Sequence, residues 1–247
     1  MPKPPLDRFT IDIGGNAAGQ VITGHGDTAH LGHAETVPAD ATRGGADETG
    51  TDAQERQDRR AAGRIIVVAD AQGSGRRTTD RQRLRTRQDL FQIFQTGADA
   101  LDRPLNDLDP TDRGDGLQLV VSPEVVSPAD LLDVFLVTVA AALHEHAEAS
   151  SDATRLRLRI AVHFGYVDRA GEGWSGEPLV HAARLVDADE VRLRLQDSRD
   201  ACLALVVSDD FHRTIVRHGY AHAGPSDYDR VDVAEKETSS HAWVRLI

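Results

Sequence analysis

The chain has 247 residues, 40% of them hydrophobic, a formal net charge of −12 and one cysteine. That length holds one large domain, or a medium domain with an extension, and the apolar fraction is enough for a real core. The acidic balance argues against a general nucleic-acid coat. A single cysteine excludes an intramolecular disulfide, and Cys202, inside the apolar run Ala201–Val207, reads as a buried, inert thiol. No apolar run reaches the ~20 residues of a membrane span, and the N-terminus lacks a basic-then-apolar signal. The expectation is a cytoplasmic protein that engages neither nucleic acid nor membrane.

The first 58 residues differ from the rest, with 10 acidic against 4 basic side chains. Residues 35–60 are Ala, Thr, Gly, Asp, Glu and Gln with almost nothing large and apolar. Such a segment cannot offset its ordering entropy and reads as a disordered acidic linker. Ahead of it, residues 1–34 are β-prone. Ile11 and Ile13 alternate with polar neighbours, glycines turn the chain, and Gln20–Gly24 follows, which predicts a hairpin or β-arc. It is too small to be stable alone, but copies can stack as a cross-β layer. This segment resembles the short amyloid-type signalling motifs at the termini of actinobacterial defence proteins. The resemblance implies an effector partner bearing a matching motif.

The globular part is expected over 61–247. Ile65–Asp70 predicts a buried strand and 72–75 a turn. A helix follows from about Thr79 to Leu101, with Leu84, Phe91, Ala98 and Leu101 on one face, widened by Leu90, Ile93 and Phe94. Its first half is rich in arginine and reads as a solvated face. Leu117–Val121 is a strand. Ser127 caps, and Pro128 opens, a buried helix to about Ala149. Arg155–Phe164 begins with strict alternation, which predicts a strand with one wet face. His163 reads as a packed strand histidine. His144 and His146, two apart on a helix, point apart and make no metal pair. A loop at 168–176, a helix at 177–186, a strand Leu203–Val207, a short helix at 209–216 and a hairpin around a turn at 238–240 complete the chain. The fold class is α+β: a ferredoxin-like βαββαβ core with an additional strand, a helix and a C-terminal hairpin, its sheet mainly antiparallel.

Two carboxylates stand out. Asp70 ends the first strand of this region, and Asp115 sits between Gly114 and Gly116 at the start of the next. Glycines let backbone and ligand approach closely. Paired strand-end carboxylates, with an arginine elsewhere, suggest two-metal phosphoryl or nucleotidyl chemistry.

These segments, with 160–167 and then 176–185, resemble the class III nucleotidyl cyclase catalytic domain over roughly residues 62–247. The likeness is closest to actinobacterial cyclase-domain proteins and extends to the Pycsar-type pyrimidine cyclases. It implies Asp70 and Asp115 as ligands of two divalent ions, Mg²⁺ or Mn²⁺. It implies Arg184 as the catalytic arginine, Lys236 as a triphosphate contact, and a homodimer with composite sites. Gly73, Ser74 and Gly114 flank the metal motifs and are expected near the substrate. The family's motif asparagine falls on Val180, which cannot hydrogen-bond. Its two base-reading positions fall on Thr111 and Gly173, neither a purine-reading residue.

The resemblance therefore implies a nucleotide cyclase that makes a 3′,5′-cyclic mononucleotide, with UTP or CTP favoured and a role in anti-phage signalling. The alternatives are a catalytically degenerate cyclase fold that binds nucleotide or relays a signal, favoured by Val180, and an assembly adaptor acting through residues 1–34.

Overall fold

The computed structural model describes residues 61–73, 79–151, 154–171, 173–235 and 238–247, and a short ladder at 23–25 and 28–30. The chain divides into two units, 1–48 and 49–247. In the first, β1 (Thr23–His25) pairs antiparallel with β2 (Thr28–His30), Thr23 opposite His30. The predicted partner strand around Ile11 and Ile13, and the linker at 35–60, lie outside the described residues.

The second unit is built on an eight-stranded sheet. Its strands are β3 (Ala62–Ala71), β4 (Pro110–Asp112), β5 (Gly116–Val121), β6 (Leu158–Ala170), β7 (Gly173–Ser175), β8 (Leu203–Ser208), β9 (Asp229–Glu235) and β10 (Thr238–Leu246). The order is β4-β5-β3-β6-β8-β10-β9, with β7 hanging off β6. The β6–β8 pair is parallel, whereas the others are antiparallel. This is the mixed α+β architecture expected from the sequence.

Because side chains alternate along a strand, β3 feeds two cores. Ile65, Val67 and Ala69 join one with α1 (Asp80–Asp99) and α2 (Leu136–Glu148). Ile66 and Val68 join the other with α3 (Glu177–Asp187) and α4 (Asp189–Asp197). α1 starts where Thr79 and Gln82 form a reciprocal capping box. Gly97 lets α1 meet α2: a Cβ there would stand 2.8 Å from Val139. Phe94 and Phe135 close that contact edge-to-face, centroids 5.7 Å apart. Ahead of α2, Ser127 accepts from the Asp130 N–H, and Leu131–Phe135 forms a π-turn. Among the described residues no helix is long and apolar enough to cross a membrane.

Several local expectations change. Leu84 is 55% exposed, because the buried stripe of α1 runs through Leu90, Ile93, Phe94 and Ala98. The wet face expected over 155–164 is confined to the residues ahead of the strand, where Arg155 is exposed and Arg157 half-buried; β6 begins at Leu158, and residues 158–163 are buried throughout. Arg157 instead binds carbonyls following α4, with Nε donating to Ala201 O at 3.0 Å and Nη2 to Ser198 O at 2.8 Å. The loop expected at 168–176 contains strand β7, paired Asp168 to Ser175. The expected turn at 238–240 is strand, Thr238 lying opposite Glu235. Cys202 is buried, as expected, and burial pushes its thiol pKa up. His144 and His146 do diverge, toward Cys202 and Asp89 respectively.

Candidate active site

The site is assembled at the C-terminal end of β3. Asp70 lies opposite Gly116 of β5 on one side and Arg159 of β6 on the other. Gly116 is required there, because a Cβ would fall 2.3 Å from the Ala69 carbonyl oxygen. That close approach brings Asp115 against β3, where the Ala71 N–H donates to the Asp115 carbonyl at 3.1 Å. The tight reversal from β4 into β5 is set locally. Gly114 has φ +85° and donates its N–H to Asp112 Oδ1 at 2.7 Å, and Arg113 N–H closes the turn onto Gly116 O at 3.0 Å. Asp112 is also ion-paired with Arg87 of α1. The two predicted metal ligands, Asp70 and Asp115, are thus neighbours.

Asp70 is the electrostatic centre of this end of the sheet. Burial pushes its carboxyl pKa up; the hydrogen bond and charge of Arg159 oppose the rise, and the charges of Asp115 and Asp187 add to it. Asp187 is the last residue of α3, so that helix ends in the field of Asp70. Arg184 lies in the same last turn of α3, half-buried. α3 is seated by Pro178 on Gly165, where any Cβ would be 2.5 Å from the proline ring. Val180 is 48% exposed, one turn before Arg184.

The remaining predicted positions scatter. Gly73, exposed with φ +75°, follows β3. Thr111 is exposed on β4 opposite the buried Gln118, and Gly173 opens β7 opposite Ala170. A side-chain cluster ties the segments holding Thr111 and Gly173 together. Trp174 Nε1 donates to Asp109 Oδ2 at 2.7 Å, Arg169 pairs with the same carboxylate, and the Trp174 ring lies against Arg169 and Arg64 at 4.8 and 5.3 Å. Ser74 and Lys236 lie outside the described residues.

Nearby on the same face, His163 is buried, with Nδ1 2.8 Å from Ser208 Oγ and its ring edge-on to His181 at 4.8 Å. Burial and then His181 push the His163 pKa down to about 4. It is the packed strand histidine expected.

Sequence reasoning missed Arg159, Asp187 and the Asp109–Trp174 link. Arg159 was readable once β3 and β6 are paired antiparallel, because it and Asp70 then fall opposite each other. The other two depend on long-range packing that no local pattern carries.

As a cation site, Asp70 and Asp115 supply hard oxygen donors of the type that bind Mg²⁺ or Mn²⁺ through one or two carboxylates, with waters and substrate phosphates completing the shell. Among the described residues no cluster of three or more His, Cys, Asp or Glu forms a metal cage. The donor set fits an open, substrate-completed site, with one competitor, the Arg159 guanidinium on Asp70.

No family model matches the chain, and no curated protein matches it in sequence. Solved structures do match, and the class of fold is the one seen in an adenylate/guanylate cyclase/hydrolase. An adenylate/guanylate cyclase/hydrolase from Silicibacter pomeroyi superposes with TM-score 0.51 at 16% identity, covering 75% of this chain and 97% of its own. The catalytic core of a rhodopsin-guanylyl cyclase with converted specificity, in complex with ATPαS, gives TM-score 0.49 at 14% identity over 76% of this chain and 96% of its own. The guanylyl cyclase domain of a fusion protein from the aquatic fungus Blastocladiella emersonii gives 0.47 at 14% over 76% and 97%. At these identities the likeness is one of fold.

Proposed function

We propose that residues 61–247 form a nucleotidyl cyclase domain that converts a nucleoside triphosphate to a 3′,5′-cyclic mononucleotide and pyrophosphate. The observation that carries this reading is the meeting of Asp70 and Asp115 at the end of β3, an inner strand of a cyclase-type sheet. The ribose 3′-oxygen bonds to the α-phosphorus, the bond from that phosphorus to the β-phosphate bridge breaks, and the hydroxyl proton passes to solvent. A pair of Mg²⁺ or Mn²⁺ ions, when bound, lowers the pKa of the hydroxyl and neutralises the triphosphate. Asp70 and Asp115 hold that charge in place. Arg184 offers a planar fork to the non-bridging oxygens as negative charge builds there. In this reading Lys236 contacts the triphosphate, and Gly73, Ser74 and Gly114 are substrate-binding positions.

Thr111 and Gly173 stand at the base end without purine-reading side chains, which favours UTP or CTP. The active form in this reading is a cytoplasmic homodimer with composite sites. Residues 1–34 recruit an effector with a matching motif, across a linker at 35–60, in anti-phage signalling.

A second reading, a nucleotide-binding or signalling module without turnover, is favoured by Val180, whose exposed isopropyl offers no hydrogen bond. Loss of one oriented donor costs about 10²–10³ in rate in a well-studied case, which weakens an enzyme without silencing it. The discriminating experiment incubates the full chain with ATP, GTP, CTP or UTP and Mn²⁺ and resolves products by mass spectrometry. A cyclic monophosphate from one nucleotide supports the cyclase. No product from any of the four, with nucleotide still bound, supports the module.

A further inference from the structure

Asp70 and Arg159 are opposed in register on β3 and β6, and the Arg159 guanidinium donates through Nη2 to Asp70 Oδ2. The pair is not a surface bridge, since the two side chains are 11% and 23% exposed. Arg159 Nε is buried with no hydrogen-bond partner, while its Nη2 donates to Asp70. An arginine cannot shed its charge in a protein, so this cation leaves the site only by moving. The Asp70 carboxylate shares its surroundings with Asp115 and Asp187. Three carboxylates in one field repel one another unless a positive charge sits among them.

We infer that Arg159 is the resident counter-cation of Asp70: it neutralises that carboxylate without metal and competes with any divalent ion that approaches it. The inference deepens the cyclase reading by naming how its site is regulated, and it rests on that reading for the identity of the ion. A divalent ion on Asp70 would meet the charge of the guanidinium already paired there, and in a part-buried setting that repulsion is large against thermal energy. Free metal therefore binds weakly until the guanidinium yields.

The test reads metal binding directly. Mn²⁺ is titrated into the full chain without nucleotide, and free Mn²⁺ is followed by electron paramagnetic resonance. Arg159→Gln is expected to bind Mn²⁺ about tenfold more tightly than wild type, which corresponds to ~1.4 kcal/mol. Arg159→Lys, which keeps the charge, is expected to stay near wild type. Adding Asp70→Asn to Arg159→Gln is expected to erase the gain. Unchanged or weaker binding by a folded Arg159→Gln overturns the inference, as does an equal gain in Arg159→Lys. Should Arg159→Gln fail to fold, side-chain NMR of the wild type gives the answer. The Arg159 guanidinium signal is expected to shift as Mg²⁺ saturates the protein, and a signal that stays fixed while Mg²⁺ binds overturns the inference. Turnover is assayed separately: absence of product from every nucleotide defeats the cyclase reading and leaves the metal-binding difference standing.

Discussion

The two faces of the sheet are built from the same strands and differ in kind. Beneath α1 and α2, strands β3, β5 and β6 present Ile65, Val67, Leu117, Leu119, Val121, Leu158, Ile160 and Val162, a face of hydrocarbon alone. Beneath α3 and α4 the same strands carry Asp70, Arg159, Gln118 and His163 among Ile66, Val68, Val120 and Ala161. A period of two along each strand sorts them. One face holds the fold, and the other spends part of its packing on charge and hydrogen bonds. A buried polar group costs stability unless it is partnered, so the polar face is where a function is to be sought.

The largest expected effect lies on the apolar face. Phe135→Ala removes the ring that meets Phe94 and Gly97, and a loss of about 3–5 kcal/mol in urea unfolding is expected. A loss below ~1 kcal/mol would break the contrast.

Next comes the histidine on the polar face. His163 titrates near 4 in the folded chain, against 6.5 for the free side chain, so the folded protein keeps it neutral while the unfolded chain takes up a proton. Its stability contribution is therefore complete above about pH 6.5, falls as pH drops toward 4, and is flat below. The span is worth roughly 3 kcal/mol. His163→Gln keeps a hydrogen-bonding group for Ser208 and is expected to lose less stability than wild type between pH 7 and pH 4.5. Equal losses in the two proteins would show that His163 does not set this dependence.

On the exposed side of α3, Val180→Asn tests whether the polar face lacks one part. Stability is expected to stay within about 0.5 kcal/mol, as for most surface changes, while cyclic product formation rises about tenfold or more. A rate that does not rise removes Val180 as the lesion. The smallest effect is expected at Leu84, where replacement by Lys changes stability by no more than about 0.5 kcal/mol, because the side chain is already in water.

The hydrophobic face was legible in the sequence because it follows simple periods. Ile65–Asp70 and Leu117–Val121 are short apolar runs, and Ser127-Pro128 is an explicit helix start. Leu84 misled because it sits one turn outside the stripe that α2 covers. Asp70 was legible as a strand-end carboxylate, and Asp115 as one flanked by glycines. Arg157 and Arg159 were misread because alternating charge normally marks water. Here one arginine reaches carbonyls near the end of α4 and the other faces Asp70. Both partners come from distant parts of the chain. α4 itself, nine residues dominated by charge, buries little beyond Val191 and Leu195 and carries a weak apolar stripe.

The most direct test of this division of labour is Asp115→Asn, measured twice: by thermal melting, and by mass-spectrometric product formation with Mn²⁺ and the nucleoside triphosphate that the wild type uses best. Asp115 is exposed at the turn into β5, and Asn keeps the backbone carbonyl that accepts from the Ala71 N–H. The account predicts a melting temperature within about 3 °C of wild type and at least about a 10²-fold loss of cyclic product. Undiminished product formation would contradict it, and so would a collapse of the fold.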